Sequence, residues 1–266
     1  MRLRTVPMRT VAIIQARMGS TRLPGKVLAE VAGKPLLQHM IERLKWCESL
    51  DQIVVATPES ASNIPIQALC HNLGIRWWAG SEEDVLGRVL EAANLYDAEL
   101  IVELTADCPL IDPIIVERAV SEYLTSLAYE AKWPERHVDF VSTSRDSFPD
   151  PSVAYPRGMD VRVFPRAALE EIAKLTDDPA DREHVSLYFW THRYRYSCQN
   201  LEAPAHLRDD VRLTVDTPED LELVRTIFEE LYPAVHDFGL GHVLKLLQAA
   251  PELREINRHI EQKAAR

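Results

Sequence analysis

TVAIIQARMGSTRLPGK, Thr10 to Lys26, joins an apolar, β-branched run to a loop with an unusual charge. Thr10–Gln15 has the length and branching of a buried strand. The loop carries Arg17, Arg22 and Lys26, the glycines Gly19 and Gly25, a Ser-Thr pair and a proline, with no acid. A glycine-bearing loop just after a first strand lets backbone N–H groups approach phosphate oxygens. Arginine adds a planar fork and lysine a point charge for the same anion. The structural alternative is a solvated loop whose glycines only make turns. The chain's formal net charge of −11 makes a local cluster of cations without acids stand out against that alternative. Five residues separate Gly19 from Gly25 and Val27 follows Lys26, so the loop is not GxxxxGK[ST], and it is not GxGxxG either.

Outward from this loop the chain alternates between the two periodicities. Apolar residues at helical spacing run from Pro35 to Cys47, from Ala61 to Leu73 despite Pro65, from Glu82 to Tyr96 and from Asp112 to Leu127. Between them Gln52–Thr57, Ile75–Trp78 and Glu99–Thr105 read as strands. This alternation predicts an α/β fold with a mainly parallel sheet. Ligands of such sheets bind at the carboxyl ends of the strands, where the Arg17–Lys26 loop and Asp107 both fall.

Beyond Leu127 the rhythm changes. Tyr129–Pro156 is rich in proline, aspartate and serine. Met159–Phe164 reads as a strand, Asp181–Thr191 as a helix, Arg193–Asn200 as an exposed strand and Val211–Val215 as a strand. Thr217 caps a helix reaching Leu231, and Leu240–Arg266 reads as helical with a solvated, mixed-charge tail from Glu252. The expectation is one domain over 1–266, with a β-rich accessory segment at about 130–210 and C-terminal helices over 235–266.

Composition narrows the function. A 46% hydrophobic, 27% charged chain is ordinary for a globular protein. No apolar stretch approaches about 20 residues, so no membrane partner is expected. MRLRTVPMRT is basic but lacks a following apolar h-region, so it does not read as a signal peptide; Met1 and Met8 are both candidate starts. An acidic pI near 5.3 argues against nucleic acid as partner. Cys47, Cys70, Cys108 and Cys198 lie far apart, without CxxC spacing, which fits a reducing cytoplasm rather than a zinc or redox site.

Taken together, several stretches resemble one family. QARMGSTRLPGKVL is similar to the signature loop of the sugar-activating cytidylyltransferases, such as CMP-KDO and CMP-acylneuraminate synthetases. The nearest match is the SpsF-type subgroup of spore-coat polysaccharide biosynthesis. Ala79–Leu86 (AGSEEDVL), Thr105–Ile111 (TADCPLI) and Thr214–Leu221 (TVDTPEDL) follow in the family's order. Tyr155–Val161 (YPRGMDV) and Arg182–Val185 (REHV) also look like this subgroup. Two departures stand out: Gln15-Ala16-Arg17 replaces Pro-Ala-Arg, and Ala106-Asp107-Cys108-Pro109 replaces Gly-Asp-Glu-Pro.

The resemblance implies a Rossmann-like sheet of the nucleotide-diphospho-sugar transferase (GT-A-like) type, and a homodimer. It implies CTP and a sugar, usually acidic, as substrates, Mg²⁺ as cofactor, and a CMP-sugar and pyrophosphate as products. Arg17, Lys26 and Asp107 would be catalytic. Gln15, Ala16, Gly19, Ser20, Arg22, Gly25, Ser81 and Arg88 would surround the nucleotide. Gly158, Asp160, Arg182 and His184 would line the sugar pocket, and Arg157 or Arg182 would meet a substrate carboxylate. Asp107 and Asp216 would hold the metal. Several of these residues have a structural alternative: Asp107 and Asp216 as helix caps or turn residues, Arg88 as an i,i+4 partner of Asp84, Gln15 as a strand-end residue, His184 as a capping or packed histidine. Two other functions share the fold or the loop, namely a glycosyltransferase using a nucleotide-sugar donor and a nucleotide-binding protein without turnover. No DxD-type motif stands in the context the first would need.

Overall fold

A computed structural model describes residues 8–130, 133 and 137–262. The N-terminal stretch 1–7, part of the irregular segment 129–156 and the end of the tail at 263–266 lie outside the described residues.

The strand at the head of the loop forms as read: β1 is Thr10–Gln15. It pairs in parallel with β4 (Gln52–Pro58) on one side and β6 (Leu100–Thr105) on the other. β5 (Arg76–Gly80) adds in parallel outside β4. β2 (Glu30–Val31) and β3 (Lys34–Pro35) make a separate two-stranded ribbon. On the far side β8 (Arg162–Pro165) runs antiparallel to β6 and to β7 (Phe140–Ser142), and β9 (Cys198–Asn200) runs parallel to β7. The full order is β5-β4-β1-β6-β8-β7-β9. The chain steps from β1 to β4 and β5 in one direction and to β6 in the other, so the order reverses at β1. In open sheets of this kind the crevice at that reversal is where ligands sit.

Alternation along β1 explains why the sheet is covered on both faces. Ala12 and Ile14 enter one core with α1 (Leu36–Leu44), α2 (Ile64–Asn72), α4 (Pro113–Glu130), α8 (Pro218–Leu231) and α9 (Leu240–Ala249). Val11 and Ile13 enter the other with α3 (Val85–Leu95), α5 (Arg166–Leu175) and α7 (Leu187–Thr191). Pro65 sits in the first turn of α2, where its missing N–H breaks no helical bond.

The segment 130–210 is continuous with this sheet. Its strands β7, β8 and β9 extend the main sheet, and its helices α5, α6 (Pro179–Glu183) and α7 cover one face.

Four local expectations are corrected. The helix expected from Asp181 to Thr191 is two short ones, because Val185, with a φ of 23°, and Ser186 turn inward and are buried. Of Arg193–Asn200 only Cys198–Asn200 is strand; Arg195 and Tyr196 donate their N–H groups to the His192 carbonyl in a turn. Val211–Val215 adds no strand to either sheet, although Arg212 forms an isolated parallel bridge with Arg157. Its N–H groups go instead to single carbonyls, Leu213 to Arg157 (2.9 Å) and Val215 to Asp107 (2.8 Å). Finally, the C-terminal helix stops at Ala249, and Pro251–Glu255 is a 3-10 turn.

Candidate active site

The loop after β1 is built from its own backbone. The Met18 carbonyl accepts from the N–H groups of Ser20 (2.9 Å) and Gly25 (3.0 Å), and Met18 N–H donates to Asn63 Oδ1 (2.9 Å). Gly25 has a φ of 72°, a conformation that glycine adopts without penalty. The loop therefore doubles back and delivers Lys26 beneath the ends of the strands. Ala16 is buried and extends β1 by one bond to the Ala56 carbonyl (3.1 Å).

At that position Lys26 Nζ donates to Asp107 Oδ2 (3.1 Å), Asp216 Oδ1 (2.7 Å) and the Val215 carbonyl (2.7 Å). Asp107 stands two residues past the end of β6. Asp216 arrives because Thr214 Oγ1 and Val215 N–H both bond the Asp107 carbonyl, at 3.1 and 2.8 Å. Burial works against the ammonium of Lys26, but the two carboxylates outweigh it and its pKa is raised. Burial likewise works against Asp107, Lys26 outweighs it, and the pKa of the carboxyl is lowered. Both groups are held charged.

Neither aspartate caps a helix. Thr217 caps α8 in a capping box with Asp220, and Asp112 caps α4 by accepting from the Ile114 N–H at 2.9 Å. Asp216 meets three cations: Lys26, Arg22 (3.0 Å) and Arg212. Arg212 was not among the residues singled out in the sequence, and nothing local marks it. Only the fold reveals its buried guanidinium between Asp216 and Asp220.

A second cluster lies on the face under α3. Arg88 is buried, and its Nη1 donates to the Ser81 carbonyl rather than to Asp84. Its Nε has no hydrogen-bond partner. Burial, reinforced by the charge of Arg17, lowers its pKa to about 10. Two cations that repel one another, one of them buried with a free N–H, are an arrangement that an anion or a carbonyl oxygen would satisfy. Ser81 Oγ accepts from Asp84 N–H (3.0 Å), and Asp84 caps α3 through Gly87 N–H (2.9 Å). Glu82, also missed, faces the loop: a Cβ on Gly19 would lie 3.5 Å from its Oε1. At the end of β1, Gln15 Nε2 donates to Glu103 Oε1 (2.8 Å). Burial raises the pKa of Glu103 despite Arg162, Ser186 and Gln15 around it.

The sugar-side candidates divide. Gly158 packs backbone to backbone, since a Cβ there would meet Leu213 C at 2.7 Å. Its N–H donates to Asp160 Oδ2 (2.9 Å), and the Asp160 carboxylate acts on Cys108, next to Asp107, and on Arg162. These two lie on the flank of the Lys26 centre. Arg182 lies elsewhere: it ties α6 to α3 through Asp84 and donates to the carbonyls of Thr176 (3.0 Å) and Ala173 (2.8 Å). His184 is the exposed C-cap of α6. Arg157 is in a fork with Asp146, at 2.8 and 3.0 Å.

Asp107 and Asp216 converge on one point, the Lys26 ammonium. Two carboxylates with oxygen donors only suit a magnesium ion that completes its shell with water and phosphate. Among the described residues no group of three or more His, Cys, Asp and Glu could hold a metal alone. The pair thus fits a cation that arrives with phosphate.

With this geometry in place, comparison with known proteins is decisive. The cytidylyltransferase family model matches residues 11–236. This chain belongs to the cytidylyltransferase family. It is 32% identical over 260 residues to an uncharacterised protein of Methanocaldococcus jannaschii, covering 97% of this chain and 98% of that one. It is 30% identical over 246 residues to the spore coat polysaccharide biosynthesis protein SpsF of Bacillus subtilis, covering 90% and 94%. A cytidylyltransferase structure from Leptospira borgpetersenii superposes with a TM-score of 0.83 at 28% identity, covering 96% of this chain and all of that one. Family membership makes the chain a nucleotidyltransferase, with the expected Rossmann-like fold. Among the described residues no helix is long and apolar enough to cross a membrane.

Proposed function

We propose that the chain transfers the cytidylyl group of CTP to a sugar hydroxyl in surface polysaccharide or glycan synthesis. The observation that carries this is the Lys26 ammonium between Asp107 and Asp216 at the carboxyl ends of β1 and β6.

In the reaction the sugar oxygen forms a bond to the α-phosphorus of CTP. The bond from that phosphorus to the bridging oxygen breaks, pyrophosphate leaves with the electron pair, and the hydroxyl proton passes to solvent. Arg17, Arg22 and Lys26 hold the triphosphate and stabilise charge on the leaving group. Lys26 stays protonated at neutral pH and acts as a charge, never as a base. Gly19, Ser20 and Gly25 let the chain approach the nucleotide, while Gln15, Ala16, Ser81 and Arg88 surround base and ribose. Gly158 and Asp160 flank the acceptor. Asp107 and Asp216 would hold Mg²⁺, which when bound neutralises phosphate charge and acidifies a hydroxyl. The free thiols of Cys47, Cys70, Cys108 and Cys198 support a cytoplasmic location, and the family resemblance supports a homodimer.

The test is pyrophosphate release with Mg²⁺, with each of the four nucleoside triphosphates against acidic and neutral sugars. CTP-dependent release with one sugar supports the reading and names the acceptor. Preferential release from another nucleotide refutes the cytidine assignment. CTP binding without release across the panel favours a binding protein.

A further inference from the structure

The segment after α9 lies outside the residues matched by the family model, and it is built into the back of the Asp216 site. Asn257 is buried, and its Nδ2 donates both to the Arg212 carbonyl (2.9 Å) and to Asp220 Oδ1 (2.8 Å). Gln262 Oε1 accepts from Arg212 Nη1. Arg254 forks onto Asp209 at 2.8 and 2.7 Å, pinning the segment to the chain just before Arg212. Arg212 Nε in turn meets Asp220, at 3.0 and 3.2 Å, and its Nη2 holds Asp216 Oδ2. Asp220 Oδ2 accepts from the backbone N–H groups of Asp216 (3.0 Å) and Thr217 (3.1 Å).

The three cations on Asp216 are therefore not equivalent. The Arg22 side chain is 37% exposed and free to turn to a phosphate; that of Arg212 is 7% exposed and fixed at every nitrogen. Lys26 holds the other oxygen, Oδ1. When Lys26 and Arg22 turn to a triphosphate, Arg212 keeps Oδ2 and leaves Oδ1 as the oxygen that exchanges partners.

We infer that the C-terminal segment 251–262, through Asn257 and Gln262, positions Arg212 and so fixes the carboxylate of Asp216 for a phosphate-bound divalent cation. This rests on the cytidylyl-transfer reading of the same site. Asn257, Gln262 and Arg212 are positioning residues, acting through the Asp216 carboxylate.

The test measures Mn²⁺ binding by electron paramagnetic resonance, on the full chain with saturating CTP and no sugar, alongside the KM for CTP and thermal stability. Loss of an outer partner typically weakens metal binding about tenfold or more. Gln262→Ala and Asn257→Ala should each weaken Mn²⁺ binding by about that factor. The KM for CTP at saturating metal should stay within about twofold, and Gln262→Glu, which keeps an acceptor for Arg212, should restore binding. Gln262 is exposed, so Gln262→Ala decides the matter if Asn257→Ala does not fold. Unchanged Mn²⁺ affinity in folded Gln262→Ala overturns the inference and leaves the proposed function standing. Absence of Mn²⁺ binding by the wild-type chain with CTP refutes the metal reading of Asp107 and Asp216, and this inference with it.

Discussion

Lys26 and Asp216 are 190 positions apart in sequence, and Lys26 Nζ lies 2.7 Å from Asp216 Oδ1. The same ammonium reaches Asp107 Oδ2 at 3.1 Å. One cation thus closes the gap between two carboxylates that would otherwise repel one another, at the point where the proposed reaction places the triphosphate and its cation.

Lys26→Ala should remove a charge that acts on the transition state. Loss of one such group typically lowers kcat by about 10²–10³-fold. The expected result is a fall of about that size in kcat/KM for CTP, with the circular dichroism spectrum unchanged. A fall of less than about threefold would remove Lys26 from the machinery.

The Lys26–Asp107 pair also sets a pH window. The folded pKa of Asp107 is lowered, so its contribution is complete above the ordinary value of 3.8 and is lost as pH falls through the folded value. The folded pKa of Lys26 is raised, so its contribution is complete below the ordinary value of 10.5 and is lost as pH rises through the folded value. The Tm difference between wild type and Asp107→Asn should accordingly be flat from about pH 5 to about pH 9 and shrink in stronger acid. A difference that changes steeply near neutrality would contradict the pairing.

Arg88 is buried, with Nε unpartnered and Arg17 near it. A buried charge of this kind lowers stability unless a ligand compensates it. Arg88→Met should leave the Tm of the ligand-free chain equal or higher, while weakening CTP binding by about 1.5–3 kcal/mol, the range for a hydrogen bond to a charged group. Calorimetry and thermal melts on the same samples give both numbers. A drop in stability with CTP affinity intact would make Arg88 a structural residue.

Gly158 has a φ of 95°, and an added Cβ would lie 2.7 Å from Leu213 C. Gly158→Ala should destabilise the fold by about 2–4 kcal/mol, from backbone strain and overpacking together, measured by urea unfolding. A loss below about 0.5 kcal/mol would show that the backbone contact between Gly158 and Leu213 relaxes freely.

The first half of the fold was legible because its signals are local. β-branched runs and helical periodicity mark β1, β4, β6 and the helices between them. The loop from Arg17 to Lys26 announced itself by charge in an acidic chain. The aspartates stood in recognisable motifs, but it is tertiary bonds, those of Thr214 and Val215 to the Asp107 carbonyl and those of Lys26 to both carboxylates, that bring them together. The later elements read less well, because tertiary bonds replace local pattern. Val211–Val215 looks like a strand and serves instead as a strap, and Asp181–Thr191 looks like one helix until Val185 turns inward. Arg182 stands in a suggestive motif and joins α6 to α3. Arg212 and Asn257 carry no sequence signal, since their roles depend on partners in other segments.

The central claim is tested most directly by following the label of CTP. With [α-³²P]CTP, Mg²⁺ and the acceptor found in the nucleotide–sugar panel, label should enter a CMP-sugar. With [γ-³²P]CTP it should leave as pyrophosphate, one for each sugar cytidylylated, and Asp216→Asn should abolish both. Label appearing as orthophosphate and CDP, or full turnover in Asp216→Asn, would contradict the account.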